Sequence, residues 1–246
     1  MKFLKIISVV IVLLISVPAI ASDWESYQKS GDKNPKWDDY IQAGFTSFDS
    51  GNLGPAEMFL QRAIARGCED GLVYVKIGLY NEAQRNYKKA IEYLKKAAPL
   101  LQKQYPNHEM TRSIDDFLGR NFFLSGDKNE AIPYLQRGAE KDSFTALYFL
   151  GQIYRDKQQL DDAGEYFQKA LSAKHPEGLP PSVDILIMTE LGKILYTQKR
   201  IDKSYTVWVE ILKHDPANQV ALSYKNKIDK DRYSEKEKKV MEEMTK

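Results

Sequence analysis

The chain has 246 residues, 43% hydrophobic and 28% charged, with a formal net charge of +2. This is ordinary globular composition, enough for one large domain or a repeat array, and such neutrality makes no electrostatic case for nucleic acid or an anionic membrane as partner. Cys68 is the only cysteine, so internal disulfides are excluded and stability must come from packing.

The N-terminus reads MKFLKIISVVIVLLISVPAIASDW. Lys2 and Lys5 precede an uncharged apolar run, Ile6 to Val17, which Pro18 ends. Ala19-Ile20-Ala21 then supplies the small side chains of a signal-peptidase site. Residues 1–21 are expected to be a signal peptide cleaved after Ala21. The run is short for a spanning helix, which needs about 20 residues, so no stable membrane insertion is expected after cleavage. No cysteine follows it to take a lipid anchor. The mature chain is expected to start at Ser22 and to be periplasmic or secreted. Residues 22–36 form a leader in which Trp24 and Tyr27 are candidates to cover the domain that follows.

From residue 37 onward one small-residue pattern recurs: glycine, a small residue twelve positions on, and another seven later. It fits Gly44, Ala56, Ala63; then Gly78, Ala90, Ala97; then Gly119, Ala131, Gly138; then Gly151, Ala163, Ala170. Gly192, Ser204, Ile211 is a weaker fifth copy. A bulky residue stands sixteen after each glycine: Leu60, Leu94, Leu135, Phe167 and Trp208. Successive glycines are 34, 41, 32 and 41 residues apart. Such self-similarity marks a repeat architecture.

Each unit reads as two helices joined by a tight turn. In SGNLGP, Gly51 suits a left-handed helix end and Pro55 a first turn. In SGDKNEA, Gly126 plays the first part, and Asp127 with Glu130 resembles a capping box. Helices this short are marginal alone and must stack on their neighbours. Gly151 and Ala163 are expected to leave room for each other's backbones, with Ala170 leaving room for the next unit. The longer spacings imply a longer second helix or loop in LLQKQYPNHEMTR and SAKHPEGLPPSVD. Cys68 is expected to be a buried small apolar residue.

These residues resemble the tetratricopeptide repeat family, most closely from Leu147 through Ala170, with His175-Pro176 and Asp215-Pro216 where that family often closes a repeat. Sel1-like repeats compete, but their turn lengths fit less well. The resemblance implies an all-α, right-handed α-solenoid of about five helix-turn-helix repeats, near 37–70, 71–111, 112–143, 144–184 and 185–216. A capping helix over 217–228 would carry Val220, Ala221, Tyr224 and Ile228 on one stripe, and a charged tail would occupy 229–246.

Chemistry is hard to find. His108, His175 and His214 lie in expected inter-repeat loops without metal-ligand spacing, and Cys68 has no metal-spaced partner. There is no nucleophile elbow, phosphate-cradling loop or dinucleotide fingerprint, so no catalytic, cofactor or metal residue is assigned. Acidic pairs such as Asp115-Asp116 and Asp161-Asp162 read as solvated faces or helix starts, because adjacent residues on a helix do not face one another.

The resemblance instead implies a peptide-binding groove lined by the first helix of each unit. Carried over by position, it assigns Ile41, Phe45 and Phe48 in the first unit, and Val75 and Leu79 in the second. Arg120 and Phe123 follow in the third, Tyr148, Gln152 and Arg155 in the fourth, Lys193 and Tyr196 in the fifth. The Lys and Asn clamp that some family members use for a terminal carboxylate is absent. The expected function is a non-catalytic scaffold or adaptor, holding a peptide or helix of a cell-envelope protein. A self-assembling structural component of an envelope complex and an accessory factor to a cell-wall enzyme stay open as alternatives.

Overall fold

A computed structural model of the chain describes residues 23–176 and 178–244. The expected signal peptide lies outside the described residues. Among these residues there are twelve α-helices and no strand. They are α1 (Asp23–Ser30), α2 (Asp38–Asp49), α3 (Leu53–Ala65), α4 (Gly71–Ala83), α5 (Tyr87–Gln104) and α6 (Glu109–Ser125). Then come α7 (Lys128–Ala139), α8 (Phe144–Asp156), α9 (Leu160–Ser172), α10 (Ser182–Thr197), α11 (Ile201–His214) and α12 (Gln219–Met244). Helices α2/α3, α4/α5, α6/α7, α8/α9 and α10/α11 are the five repeat pairs, an all-α fold of the α-solenoid class. The chain forms two compact units: one runs to Phe149 and includes Lys174–Leu179, the other holds Leu150–Ala173 and continues from Pro180.

The recurring glycines have a common physical cause. A β-carbon on Gly78, Gly119, Gly151 or Gly192 would stand between 2.5 and 2.8 Å from the nearest side-chain atom of Leu94, Leu135, Phe167 or Trp208. Gly44 would meet Leu60 in the same way. The bulky residue sixteen positions on therefore lies across the glycine's backbone, and no larger residue fits beneath it. This corrects the expectation that Gly151 makes room for Ala163. The small residue twelve on is buried in every repeat, but the glycine's space is filled by the side chain one turn later.

The turns are equally regular. Seven residues after each glycine the backbone is left-handed, at Gly51, Arg85, Gly126, Gln158 and Lys199, with φ of 75°, 60°, 97°, 62° and 61°. The next amide donates to the carbonyl five residues back: Asn52 to Ser47, Asn86 to Asn81, Asp127 to Phe122, Gln159 to Tyr154 and Arg200 to Leu195, at 2.8–2.9 Å. This is the Schellman motif, which satisfies carbonyls that a helix end leaves free. The capping box expected at Asp127 does not form. Its side chain makes no cap bond and instead accepts from Ser125 Oγ at 2.9 Å.

The two wide spacings are absorbed differently. The first lengthens helices: α5 has 18 residues and α6 has 17, so the third repeat starts at Glu109 rather than near residue 112. The second opens the connection between Ser172 and Ser182 and starts the fifth repeat earlier than residue 185. Helix α12 runs unbroken from Gln219, in the expected cap, to Met244, in the expected tail. Ala221 and Ile228 are buried and Tyr224 stacks on Trp208 at 4.6 Å, whereas Val220 is exposed, against its expected place on the buried stripe. Cys68 is buried as expected, and burial pushes its thiol up to about 12, which leaves it unreactive.

Candidate functional site

In the first unit the leader folds as α1 and lies against α2, α4 and the start of α6. Tyr27 is 1% exposed and meets Phe45 edge to face, ring centroids 6.4 Å apart, while Trp24 stacks on Tyr27 at 5.5 Å. The Tyr27 hydroxyl donates towards Asp38 Oδ1 at 2.6 Å and the Asp32 carbonyl at 2.9 Å. Trp37 Nε1 donates to that same carbonyl at 3.0 Å, fixing the connector that leads back to α2.

The electrostatic centre of this face is Lys76 on α4, whose side chain is 3% exposed. Its ammonium lies 2.5 Å from Asp23 Oδ2 on α1, 3.7 Å from Asp49 Oδ1, and 4.1 Å above the Phe48 ring. His108 caps α6: its Nδ1 accepts from the Met110 amide at 3.2 Å, so in the neutral ring the proton sits on Nε2. That Nε2 is buried, makes no hydrogen bond, and faces Asp23 Oδ1 at 3.5 Å. Burial pushes His108 below its ordinary range, helped by Lys76 and Arg112 and opposed by Asp23. Asp49 is pushed up by burial and by Asp23, against the pull of Lys76.

Further along the same unit, Glu82 of α4 and Arg120 of α6 form a buried pair. Arg120 Nη2 donates to Glu82 Oε2 at 2.9 Å, Asn121 Nδ2 to the same oxygen at 2.8 Å, and Arg120 Nε approaches Oε1 at 2.6 Å, off the hydrogen-bond axis. The guanidinium lies 4.8 Å over the Phe117 ring. A buried pair of this kind adds little net stability against its desolvation cost, but removing either partner would strand a buried charge. Two carboxylates pin loops to this unit. Asp70 accepts from the Tyr105 hydroxyl at 2.5 Å and from the Leu72 and Val73 amides; Asp116 accepts from Ser143 Oγ at 2.6 Å. Burial raises both to about 6.

The positions assigned to the groove divide by depth. Ile41, Phe45, Val75, Leu79, Arg120, Tyr148 and Gln152 are buried and offer no open lining, which corrects their expected exposure. Phe45 is covered by Tyr27, Arg120 is consumed by Glu82, and Tyr148 stacks on Phe144 at 6.3 Å. Phe48, Phe123, Arg155, Lys193 and Tyr196 are partly exposed. In the second unit the two cations are already neutralised. Arg155 and Lys193 lie 2.9 and 3.0 Å from Glu190, whose carboxyl burial would raise but the two cations hold below its ordinary range. Tyr196 packs edge to face on Tyr224 at 5.3 Å. Asp23, Lys76 and His108 fall outside the groove positions that the repeat pattern assigns. Lys76 carries a readable signal, as a lone charge inside GLVYVKIGLY, since a lysine on an apolar helix needs a partner.

Among the described residues no group of three or more His, Cys, Asp or Glu side chains is placed to hold a metal ion, and no helix is long and apolar enough to cross a membrane. Sequence models described as tetratricopeptide repeat match residues 70–140 and 118–178. No curated protein matches in sequence. Solved structures do match. MamA (residues 41 to the end) from Desulfovibrio magneticus RS-1 is 19% identical, with TM-score 0.59 over 76% of this chain and 99% of that one. YrrB, described as a TPR protein with an unusual peptide-binding site, is 18% identical, with TM-score 0.60 over 85% and 100%. PilW, described as a type IV pilus biogenesis factor, is 16% identical, with TM-score 0.56 over 75% and 80%. At such identities the likeness speaks for the fold, and the two sequence matches fall on the repeats that the glycine register and the Schellman turns define. The chain is a tetratricopeptide-repeat protein.

Proposed function

We propose that this protein is a non-catalytic interaction scaffold of the cell envelope, exported after cleavage at Ala21, whose first-helix face holds a polypeptide segment of an envelope protein. The observation that carries this reading is the seat of α1. A helix made by the chain itself already lies on that face, held by one carboxylate on Lys76 and one aromatic ring on Phe45. The face thus has the shape and charge to take a helix, which is the general currency of helix-in-groove recognition. The peptide-binding description of YrrB supports a binding role for the face, and the pilus-biogenesis description of PilW supports an envelope setting. Partly exposed Phe48 and Phe123 are the aromatic anchors left for a partner.

The test is capture from envelope extract with the purified mature chain, followed by direct binding of the protein identified. A Phe48→Ala, Phe123→Ala variant that keeps its helical signal should lose the captured protein. Undiminished capture by that variant moves the site to another surface, and cytoplasmic protein retaining Met1 removes the envelope from the proposal.

A further inference from the structure

The seat of α1 is unequal in its two directions. The helix has eight residues, too few to hold together alone, and Glu25, Gln28, Lys29 and Ser30 face outward. Asp23 and Tyr27 reach from it to Lys76, Phe45 and Asp38, and it is joined to α2 by a largely exposed connector, residues 31–36. The face beneath is demanding. Without Asp23, the Lys76 ammonium would keep only Asp49, at 3.7 Å and half exposed, as counter-ion. A nearly buried cation with so loose a partner is costly, so any occupant of this face must bring an anion to that point. Phe45, fully buried and met edge to face by Tyr27, would lose that cover at the same time and need an apolar ring. Asp23 also serves the site incompletely, because the buried Nε2–H of His108 faces it at 3.5 Å without a hydrogen bond.

We infer that α1 is a displaceable occupant of this face, and that the site accepts in its place a partner segment presenting a carboxylate to Lys76 and His108 and, one helical turn on, an aromatic ring to Phe45. This rests on the proposed binding role of the face and specifies its ligand. The spacing is that of Asp23 and Tyr27, four residues apart on one helical face. A partner carboxylate seated closer to His108 satisfies a donor that α1 leaves unpaired, which gives an external segment an interaction the internal one lacks.

The experiment uses the full chain and a synthetic peptide of its own residues Asp23–Gly31, labelled with a fluorophore. An Asp23→Asn, Tyr27→Ala chain has a weakened internal occupant and should bind the peptide about tenfold more tightly than the parent, whose own α1 competes. A peptide carrying the same two substitutions should bind about tenfold more weakly, and Lys76→Met in the opened chain should erase the advantage conferred by the carboxylate. A folded opened chain that ignores the peptide, or binds both peptides alike, overturns the inference. Should the opened chain fail to fold, hydrogen exchange on the parent decides. Amides of residues 23–30 exchanging far faster than those of α4 support a displaceable helix; exchange at the rate of global unfolding overturns it. No envelope protein enters this measurement. Peptide binding without a captured envelope partner would sink the proposed function alone, and capture indifferent to the state of α1 would sink this inference alone.

Discussion

The fifth repeat offers the sharpest perturbation, because two considerations there predict opposite signs. Ser204 occupies the place where the other four repeats carry alanine, and it looks like a weakness in the sequence. In the structure both Ser204 and Trp208 are fully buried. Trp208 Nε1 donates to Ser204 Oγ at 2.9 Å, and Ser204 Oγ donates to the Gly192 carbonyl at 2.9 Å. The indole is the only bulky residue of its register that carries a polar hydrogen, and the serine supplies its acceptor. Helix propensity says that Ser204→Ala should stabilise α11 by about 0.5 kcal/mol. Burial says that it strands the indole N–H and costs about 1–3 kcal/mol. The second effect is larger, so we expect a net loss of about 1–2 kcal/mol. Urea denaturation followed by circular dichroism would register it, with near-ultraviolet dichroism reporting the Trp208 environment. In a Trp208→Phe background there is no N–H to strand, and the same Ser204→Ala change should cost about 1 kcal/mol less. A neutral or stabilising Ser204→Ala, or an equal cost in both backgrounds, would refute the pairing.

Other positions give simpler outcomes. Gly151→Ala would place a β-carbon 2.7 Å from the Phe167 ring and should cost about 1–3 kcal/mol, whereas Gly164→Ala, with its nearest neighbour at 3.6 Å, should stabilise by up to about 1 kcal/mol; equal melting temperatures would mean the glycine register is wrong. Lys199→Gly, at φ 61°, should raise the melting midpoint through about 0.5–1 kcal/mol of relieved backbone strain, and a fall in the midpoint would show that the lysine side chain compensates. Asp70 and Asp116 bind protons more tightly folded than unfolded, rising from an ordinary 3.8 to about 6, chiefly through burial. Their contribution is therefore full below the unfolded value and is lost as pH rises through about 6, at up to about 1.4 kcal/mol per pH unit for each group. Asp70→Asn should flatten the urea midpoint between about pH 4 and 6, and an unchanged slope would discount the buried carboxyl.

The repeat was legible because its main constraint is local and repeated. A side chain that lies across a backbone admits only glycine beneath it, so Gly78 and Leu94, or Gly151 and Phe167, leave a fixed spacing in the sequence. The turns were legible at Gly51 and Gly126. They were silent at Arg85, Gln158 and Lys199, where the same left-handed backbone is held by the Schellman bonds without a glycine to mark it. What could not be read were pairings across long separations. Arg120 falls at a groove position by helical phase, yet its partner Glu82 is 38 residues away and buries it. Phe45 falls at another, and it is a ring on the leader, Tyr27, that covers it. Position on a helix fixes which way a side chain points; only the tertiary fold fixes what meets it there.

That distinction explains why the selectivity of the proposed site rests on Lys76 rather than on the buried apolar positions of the expected groove. Aromatic and aliphatic residues at Ile41, Phe45, Val75 and Leu79 can be satisfied by any apolar cover, and here they are buried. They define a surface without choosing a ligand. A nearly buried ammonium is different, since it can be left only with an anion, and the close anion at 2.5 Å comes from the leader. On the proposed reading, the residues that would discriminate between ligands on this face are therefore its few polar ones, Lys76 and the unpaired Nε2–H of His108, while the apolar majority would supply area. Specificity on a repeat surface built from a common scaffold arises where a charge interrupts the pattern, because that is where the wrong occupant costs most.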